Sequence, residues 1–147
     1  MEVVVKGFDE LTARELFELY KLRVSVFVVE QECPYQEVDD LDLVAQHVWL
    51  WDQEQGRIMA YARVLPAGSA FPSAGIGRVI AAERRRGLGT QILDQAVAVA
   101  RDRLGADCIT LEAQTYARGL YEKAGFVQTS DEFLEDGIPH IQMQLQL

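Results

Sequence analysis

Nothing in this sequence approaches the roughly 20 consecutive apolar residues that a membrane-spanning helix requires. No basic n-region with an apolar h-region opens the chain either, so neither a leader nor a membrane anchor is expected. Cysteine is scarce: Cys33 and Cys108 are the two present, far apart and without metal-ligand or Cys-x-x-Cys spacing. Both are expected to be reduced thiols of a cytoplasmic protein. Histidine is as scarce, with His47 and His140 remote from each other, which leaves no metal centre to expect. Positive charge is also in deficit, at 14 Lys and Arg against 23 Asp and Glu, a formal net charge of −9. A generic nucleic-acid surface is excluded on that balance, because binding phosphates needs clustered Lys and Arg to displace counterions. A cationic small molecule or peptide suits an acidic chain better. Internal repeats, low-complexity tracts and domain linkers are absent.

What is present is enough for one core: 147 residues, 49% apolar, read as a single domain over residues 1–147. Glu2 to Val5 reads as a strand. Thr12 and Glu15 form a capping box and Leu11 can staple onto Leu16, so a helix is expected from about Ala13, with Leu16, Leu19, Tyr20 and Leu22 on its buried stripe. Periodicity does not assign the β-branched run Val24 to Val29. Cys33 to Asp42 reads as a loop. Strand-like segments at Ala45–Trp51, Arg57–Leu65 and Gly75–Ala82 suggest an antiparallel meander. From Gly87 the period turns helical, with Ile92, Leu93, Ala96, Val97, Ala100 and Leu104 on one stripe ending at Gly105. Cys108–Leu111 is a short strand and Tyr116–Ala124 a short helix closed by Gly125. A final strand pair turns through Glu135–Pro139. These elements predict an α/β (α+β) domain with a mixed, largely antiparallel sheet.

The segment that most plainly carries chemistry is Arg84-Arg85-Arg86-Gly87-Leu88-Gly89-Thr90, placed between a strand and a helix. Glycines let backbone approach a ligand, and the helix start offers unpaired amides and a positive dipole end. This arrangement suits a pyrophosphate, with the arginines a basic island in an acidic chain. It lacks the Gly-x-x-x-x-Gly-Lys-Ser/Thr of a nucleotide P-loop and the three-glycine pattern of a dinucleotide fold. A strand-to-helix turn with no ligand is the plain alternative.

Arg84-x-x-Gly87-x-Gly89 resembles the acetyl-CoA signature of the Gcn5-related N-acetyltransferases (GNAT). The segments Val26–Gln31, Cys33–Gln36, Ile76–Val79, Leu120–Phe126 and Glu135–His140 resemble, in order, the ElaA-like branch of that superfamily. The resemblance implies an acetyl-CoA dependent N-acyltransferase with no metal, its sheet flanked by helices and splayed to admit acetyl-CoA. It implies that Val79, Ile80 and Ala81 lie on the splayed strand, and that Arg84, Arg85, Arg86, Gly87, Leu88, Gly89 and Thr90 hold the pyrophosphate. One departure is a segment about two residues shorter than usual between the Gly-Arg-Val strand and the first glycine, which allows the strand assignment to slip by up to two residues and the usual strand bulge to be altered. Tyr121, four residues before Gly125-Phe126, matches the tyrosine that relatives use as general acid toward the leaving thiolate. Its plain alternative is a core tyrosine.

An attacking amine must also be neutral, and deprotonating a lysine-like amine at neutral pH costs about 4–5 kcal/mol. Glu30, Glu112 and His140 are the candidate bases, against an ion-paired Glu30, an exposed Glu112 and a hydrogen-bonded turn His140. His47, alternating with Trp49 and Trp51, fits an acceptor pocket or, more simply, a packed strand. The acidic stretch Glu37, Asp39, Asp40 and Asp42 is expected either to gather a cationic acceptor or to be a solvated surface. A noncatalytic acyl-CoA binding module and a cofactor-free adaptor stay open as rivals. The expected partner is a small-molecule or peptide amine, with no nucleic acid, no membrane, and homodimerisation left open.

Overall fold

The structure, a computed structural model, describes residues 1–147. Strand β1 (Glu2–Gly7) leads through a 3-10 turn into helix α1 (Ala13–Val24). The capping box forms as the sequence predicts: the Glu15 amide donates to Thr12 Oγ1 at 3.1 Å and the Thr12 amide to Glu15 Oε1 at 2.9 Å, satisfying two donors that a helix start leaves without partners. The unassigned run after it is neither α-helix nor strand. Ser25–Glu30 continues α1 as a π-helical segment, a wide turn that recurs at functional sites. Residues 31–45 then cross as a loop with one 3-10 turn at Asp40–Leu43.

Strands β2 (Gln46–Asp52), β3 (Arg57–Leu65) and β4 (Ala74–Ala81) form the expected antiparallel meander. Helix α2 (Leu88–Asp102) follows, then β5 (Cys108–Gln114), a 3-10 turn, α3 (Arg118–Lys123), and strands β6 (Val127–Gln128), β7 (Phe133–Glu135) and β8 (Ile138–Gln146). Strand β5 runs three residues past the predicted end at Leu111. Ile109, Leu111 and Ala113 point into the core and Thr110, Glu112 and Gln114 to the other face, so polar residues at alternate positions hid the strand's end.

The sheet order is β1-β2-β3-β4-β5-β8-β6, with β7 also on β8. Every neighbouring pair is antiparallel except β4–β5. On one face, α2 and α3 bury Ile92, Leu93, Ala96 and Tyr121 against Val48, Met59, Val64, Ile109, Leu111, Ile141 and Met143. A fully buried side chain of this size contributes about 1.5–3 kcal/mol. On the other face α1 closes a smaller cluster of Leu19, Trp49, Ile58, Tyr61 and Ile80. Both cysteines are free thiols. No helix is long and apolar enough to cross a membrane.

Candidate active site

Strands β4 and β5 pair only at Ala74↔Ile109 and Gly75↔Thr110. Beyond those pairs Ile76–Ala81 and Leu111–Gln114 share no ladder, so the sheet carries a wedge with free backbone edges on both sides. A bulge in β4 accompanies the split. The β3–β4 register slips between Tyr61 and Arg63, and Arg78 sits in the left-handed region at φ 54°, a conformation that costs a non-glycine residue about 1–2 kcal/mol. The bulge survives the shorter segment ahead of Gly87. The Ala82 amide donates to the Met59 carbonyl at 2.8 Å. Because amide directions alternate along a strand, the Ile80 amide also faces β3, while the amides of Val79 and Ala81 face the wedge.

At the end of the wedge, residues 82–87 loop into α2. Gly87 is the N-cap at φ 69°, with no side-chain cap bond, so the first amides of the helix are free. The two glycines of the loop differ. A Cβ on Gly87 would meet nothing within 4 Å, whereas one on Gly89 would lie 3.5 Å from Leu120 Cδ2. Gly87 therefore faces open space, and Gly89 lets α2 pack close to α3. Of the three arginines, Arg86 is held by Glu83 at 2.7 Å, which also pairs with Arg57. Arg84 and Arg85 are exposed and pair with no carboxylate, and Arg85 is itself left-handed at φ 62°. Leu88 is buried, so only its amide is available, and Thr90 is exposed.

Tyr121 lies on the α2/α3 side of the sheet, 8% exposed, its ring edge-on to Phe126 with centroids 6.0 Å apart. Its hydroxyl makes no hydrogen bond within the chain, unlike the satisfied hydroxyl of a core tyrosine. Burial, with a smaller contribution from Tyr116, pushes its pKa up, so the phenol keeps its proton at neutral pH.

The opposite face of β5 and β8 is polar. His140 is 8% exposed; its Nδ1 lies 2.7 Å from the Ile138 carbonyl, and its ring stacks on Phe133. A carbonyl only accepts, so Nδ1 carries the proton and Nε2 is left facing Glu135 Oε2 at 3.8 Å. Glu112 is exposed on this face; desolvation of its carboxyl first, then the charge and hydrogen bond of Glu135, raise its pKa, with His140 acting the other way. Glu30 is exposed at the end of the π-helical segment and pairs with no basic side chain. The next residue, Gln31, exchanges amide hydrogen bonds with Gln114 at 3.2 and 3.4 Å, and Gln114 is the cross-strand partner of His140. Glu135, Gln31 and Gln114 were not singled out by the sequence reading. Alternation along β5 joins Glu112 to Gln114, but the fold of the β7–β8 turn that brings Glu135 over them has no local signal.

The acidic loop departs from the expected acceptor role. Arg23, fully buried, holds Glu37 at 2.9 Å and Asp42 at 2.6 Å; Arg63 holds Asp39 at 2.7 Å and Asp42 at 3.1 Å; Arg78 holds Glu37 at 2.6 Å. Glu37, Asp39 and Asp42 thus neutralise three arginines and pin the loop to the β4 bulge, leaving Asp40 exposed and unpaired. Local sequence shows the acidic run but not the arginines that fold onto it. His47 belongs to the same knot. It is fully buried, with Nε2 2.9 Å from the Asp42 carbonyl and Nδ1 2.6 Å from Tyr61 Oη. The carbonyl fixes the Nε2–H tautomer, and burial lowers the pKa of the ring. His47 is a packed strand histidine and lines no acceptor pocket. A hollow lined by Pro66, Pro72, Ala74, Leu104 and Cys108 lies at the paired end of β4 and β5, and none of these groups lines it.

Comparison with known proteins agrees with this geometry. An acetyltransferase (GNAT) domain model matches residues 18–147. The chain belongs to the GNAT acetyltransferase family. This GNAT domain is 41% identical over 150 residues to a UPF0039 protein of Schizosaccharomyces pombe, covering 100% of this chain and 98% of the relative. Protein ElaA of Escherichia coli is 36% identical over 139 residues, covering 92% and 90% respectively; its crystal structure superposes with a TM-score of 0.89 over 97% of both chains. An acyl-CoA N-acyltransferase from Pseudomonas aeruginosa, 40% identical, superposes with a TM-score of 0.89 over 98% of this chain and 99% of that one. The GNAT fold and the ElaA-like relationship are thereby shown.

Proposed function

We propose that this GNAT domain transfers an acetyl group from acetyl-CoA to a primary amine of a small molecule or peptide, by direct attack in a ternary complex. The observation that carries this reading is the wedge between β4 and β5, which has free helix amides at one end and the unpartnered Tyr121 hydroxyl on one side. Acetyl-CoA is a substrate here and supplies the thioester. The amides of Leu88, Gly89 and Thr90 and the side chains of Arg84 and Arg85 suit its pyrophosphate, because the Gly87 side of the loop is open and the helix dipole favours anions. Arg86 takes part less directly, since Glu83 holds it. On β4, Val79 and Ala81 offer the wedge amides to pantetheine and Ile80 offers its backbone fold. The Val79 amide, at the bulge, is the donor placed to polarise the thioester carbonyl.

Tyr121 gives its proton to the departing sulfur. Its raised pKa keeps it protonated until a thiolate needs the proton, and the apolar wall of Phe126 and α2 keeps bulk water from that role. On the opposite face the amine approaches past Glu30 and His140. Nucleophile and leaving group are thus served from opposite sides of the sheet.

Acetyl-CoA incubated with a panel of primary amines, with free thiol measured over time, tests the reading. Amine-dependent thiol release that disappears in Tyr121→Phe is the expected result. Tight CoA binding with no release for any amine would favour a sensing module instead.

A further inference from the structure

Strand β1 ends the sheet, paired with β2 on one side and with no strand on the other. Soluble proteins blunt such edges with short strands, bulges, proline or charge, because a row of free amides and carbonyls templates another strand. The far edge of this sheet follows that rule. It is broken into the two residues of β6 and the three of β7, with Asp131 and Glu132 exposed between them. The β1 edge does not. Its six residues, Glu-Val-Val-Val-Lys-Gly, run in unbroken register from Glu2↔Trp51 to Gly7↔Gln46, without proline or bulge. Three consecutive valines favour a strand partner, and Val3 is left 40% exposed.

Hydrogen bonding shows which groups face outward. The Gly7 amide donates to Glu10 Oε1 at 3.0 Å rather than across to β2. Amide directions alternate along a strand, so Val5 and Val3 also present their amides and carbonyls outward, where no turn meets them. Glu2, Val4 and Lys6 spend theirs on β2. The order of charges decides what fits this edge. An acid at one end, a base at the other and valines between are complementary to their own reversed copy. About a two-fold axis through Val4, Val3 of one copy meets Val5 of the other in hydrogen-bonded pairs, while Glu2 meets Lys6 in the closer non-hydrogen-bonded pairs. Glu2 is exposed and pairs with no basic side chain. Lys6 gives two donors to Glu15 Oε1 and Oε2, both at 2.9 Å; an ammonium has three, and the third is left for Glu2 of the second copy. Parallel pairing would instead set like charge on like charge, which destabilises.

We propose that the β1 edge is an interface between two copies of this chain, paired antiparallel through Glu2 to Lys6 into one continuous sheet. Both copies use the same edge, so the contact closes as a dimer, and the broken edge at β6 and β7 gives no strand long enough to extend it. In the strand order the wedge between β4 and β5 lies beyond β2 and β3, so each copy keeps its own wedge clear of the interface. The inference stands independently of the acyltransferase reading.

Two short paired strands make a small interface of the transient class, so the test is sedimentation equilibrium of the whole chain over a series from about 1 μM to about 1 mM. The mass should rise from monomer toward dimer and stop there. Val3→Pro removes an outward amide and no bond to β2; it should abolish association while circular dichroism stays that of wild type. Glu2→Lys changes an exposed residue and sets lysine against Lys6 at both ends of the pairing, so it should raise the dimer Kd about 10-fold. Cysteine substitution reads the register. Val4→Cys should give a disulfide-linked dimer under mild oxidation, because position 4 meets itself at the axis, whereas Val3→Cys, which faces Val5, should not; wild type supplies the background from Cys33 and Cys108. A monomer at every concentration overturns the proposal and leaves the edge to a strand of another protein. A dimer whose Kd is unchanged in both Val3→Pro and Glu2→Lys overturns it too, as does cross-linking through position 3 as efficient as through position 4. Should Val3→Pro unfold, Glu2→Lys and the cysteine pair decide.

Discussion

Replacing Arg78 separates the backbone strain of the β4 bulge from the ion pair that offsets it. Arg78 has φ 54° and pairs with Glu37 at 2.6 Å while its guanidinium lies 5.3 Å from the Tyr35 ring centroid. Arg78→Ala and Arg78→Gly both lose these contacts, so their difference reports the backbone alone. Alanine in the left-handed region costs about 1–2 kcal/mol that glycine does not pay, whereas glycine loses roughly 0.5–1 kcal/mol through the greater freedom of its unfolded chain. Glycine should therefore be the more stable of the two by about 0.5–1 kcal/mol, the reverse of their order at an ordinary strand position. For a chain of this size 1 kcal/mol moves Tm by about 2–4 °C, so scanning calorimetry should place Arg78→Gly roughly 1–4 °C above Arg78→Ala. Because the bulge presents the Val79 amide to the wedge, the glycine variant should also retain more turnover. An alanine variant as stable as the glycine variant, or more so, would refute the claim that this residue carries strain.

Further outcomes follow from the same geometry. Gly87→Val should weaken CoA binding strongly, since its side chain enters the open side of the loop, and should cost about 1–2 kcal/mol of stability because of its φ of 69°; Gly89→Ala, whose Cβ meets Leu120 at ordinary contact, should affect affinity far less, and calorimetric titration with CoA compares them. Tyr121→Phe should lower kcat by about 10²-fold to 10⁴-fold with little change in KM for acetyl-CoA, read from steady-state kinetics where chemistry limits. Asp42→Asn should destabilise the fold by about 3–5 kcal/mol, because it leaves Arg23 and Arg63 under-neutralised in the core. Burial alone would raise the Asp42 pKa, but Arg23 and Arg63 bring it below its ordinary value. The stabilisation is therefore complete above about pH 4 and lost as pH falls further; acid unfolding followed by circular dichroism should show that loss in wild type and much less of it in Asp42→Asn.

The legible parts of this protein were those set by local rules. The Thr12–Glu15 capping box, the meander of β2 to β4 and the apolar stripe of α2 all depend on residues close in sequence, and each appears where periodicity and cap chemistry put it. The glycine loop was legible as an anion site, but the separate roles of Gly87 and Gly89 depend on Leu120, more than 30 residues away in sequence. The π-helical Ser25–Glu30 was not legible, because a β-branched run fits no helical or strand period and tertiary contacts decide it. The acidic loop misled for the same reason. A charge run looks solvated until arginines from α1, β3 and β4 fold onto it. Glu135 reaches Glu112 only through the tight turn at Asp136–Gly137, where the chain passes through two left-handed residues.

The most direct test of the central claim combines two readings on one purified sample: calorimetric binding of CoA, and thiol release from acetyl-CoA across a panel of primary amines, for wild type and Tyr121→Phe. The wedge, the free α2 amides and the protonated Tyr121 predict saturable CoA binding in both proteins, with amine-dependent thiol release in wild type alone. Absence of CoA binding, or equal thiol release from the two proteins under chemistry-limited conditions, would contradict it.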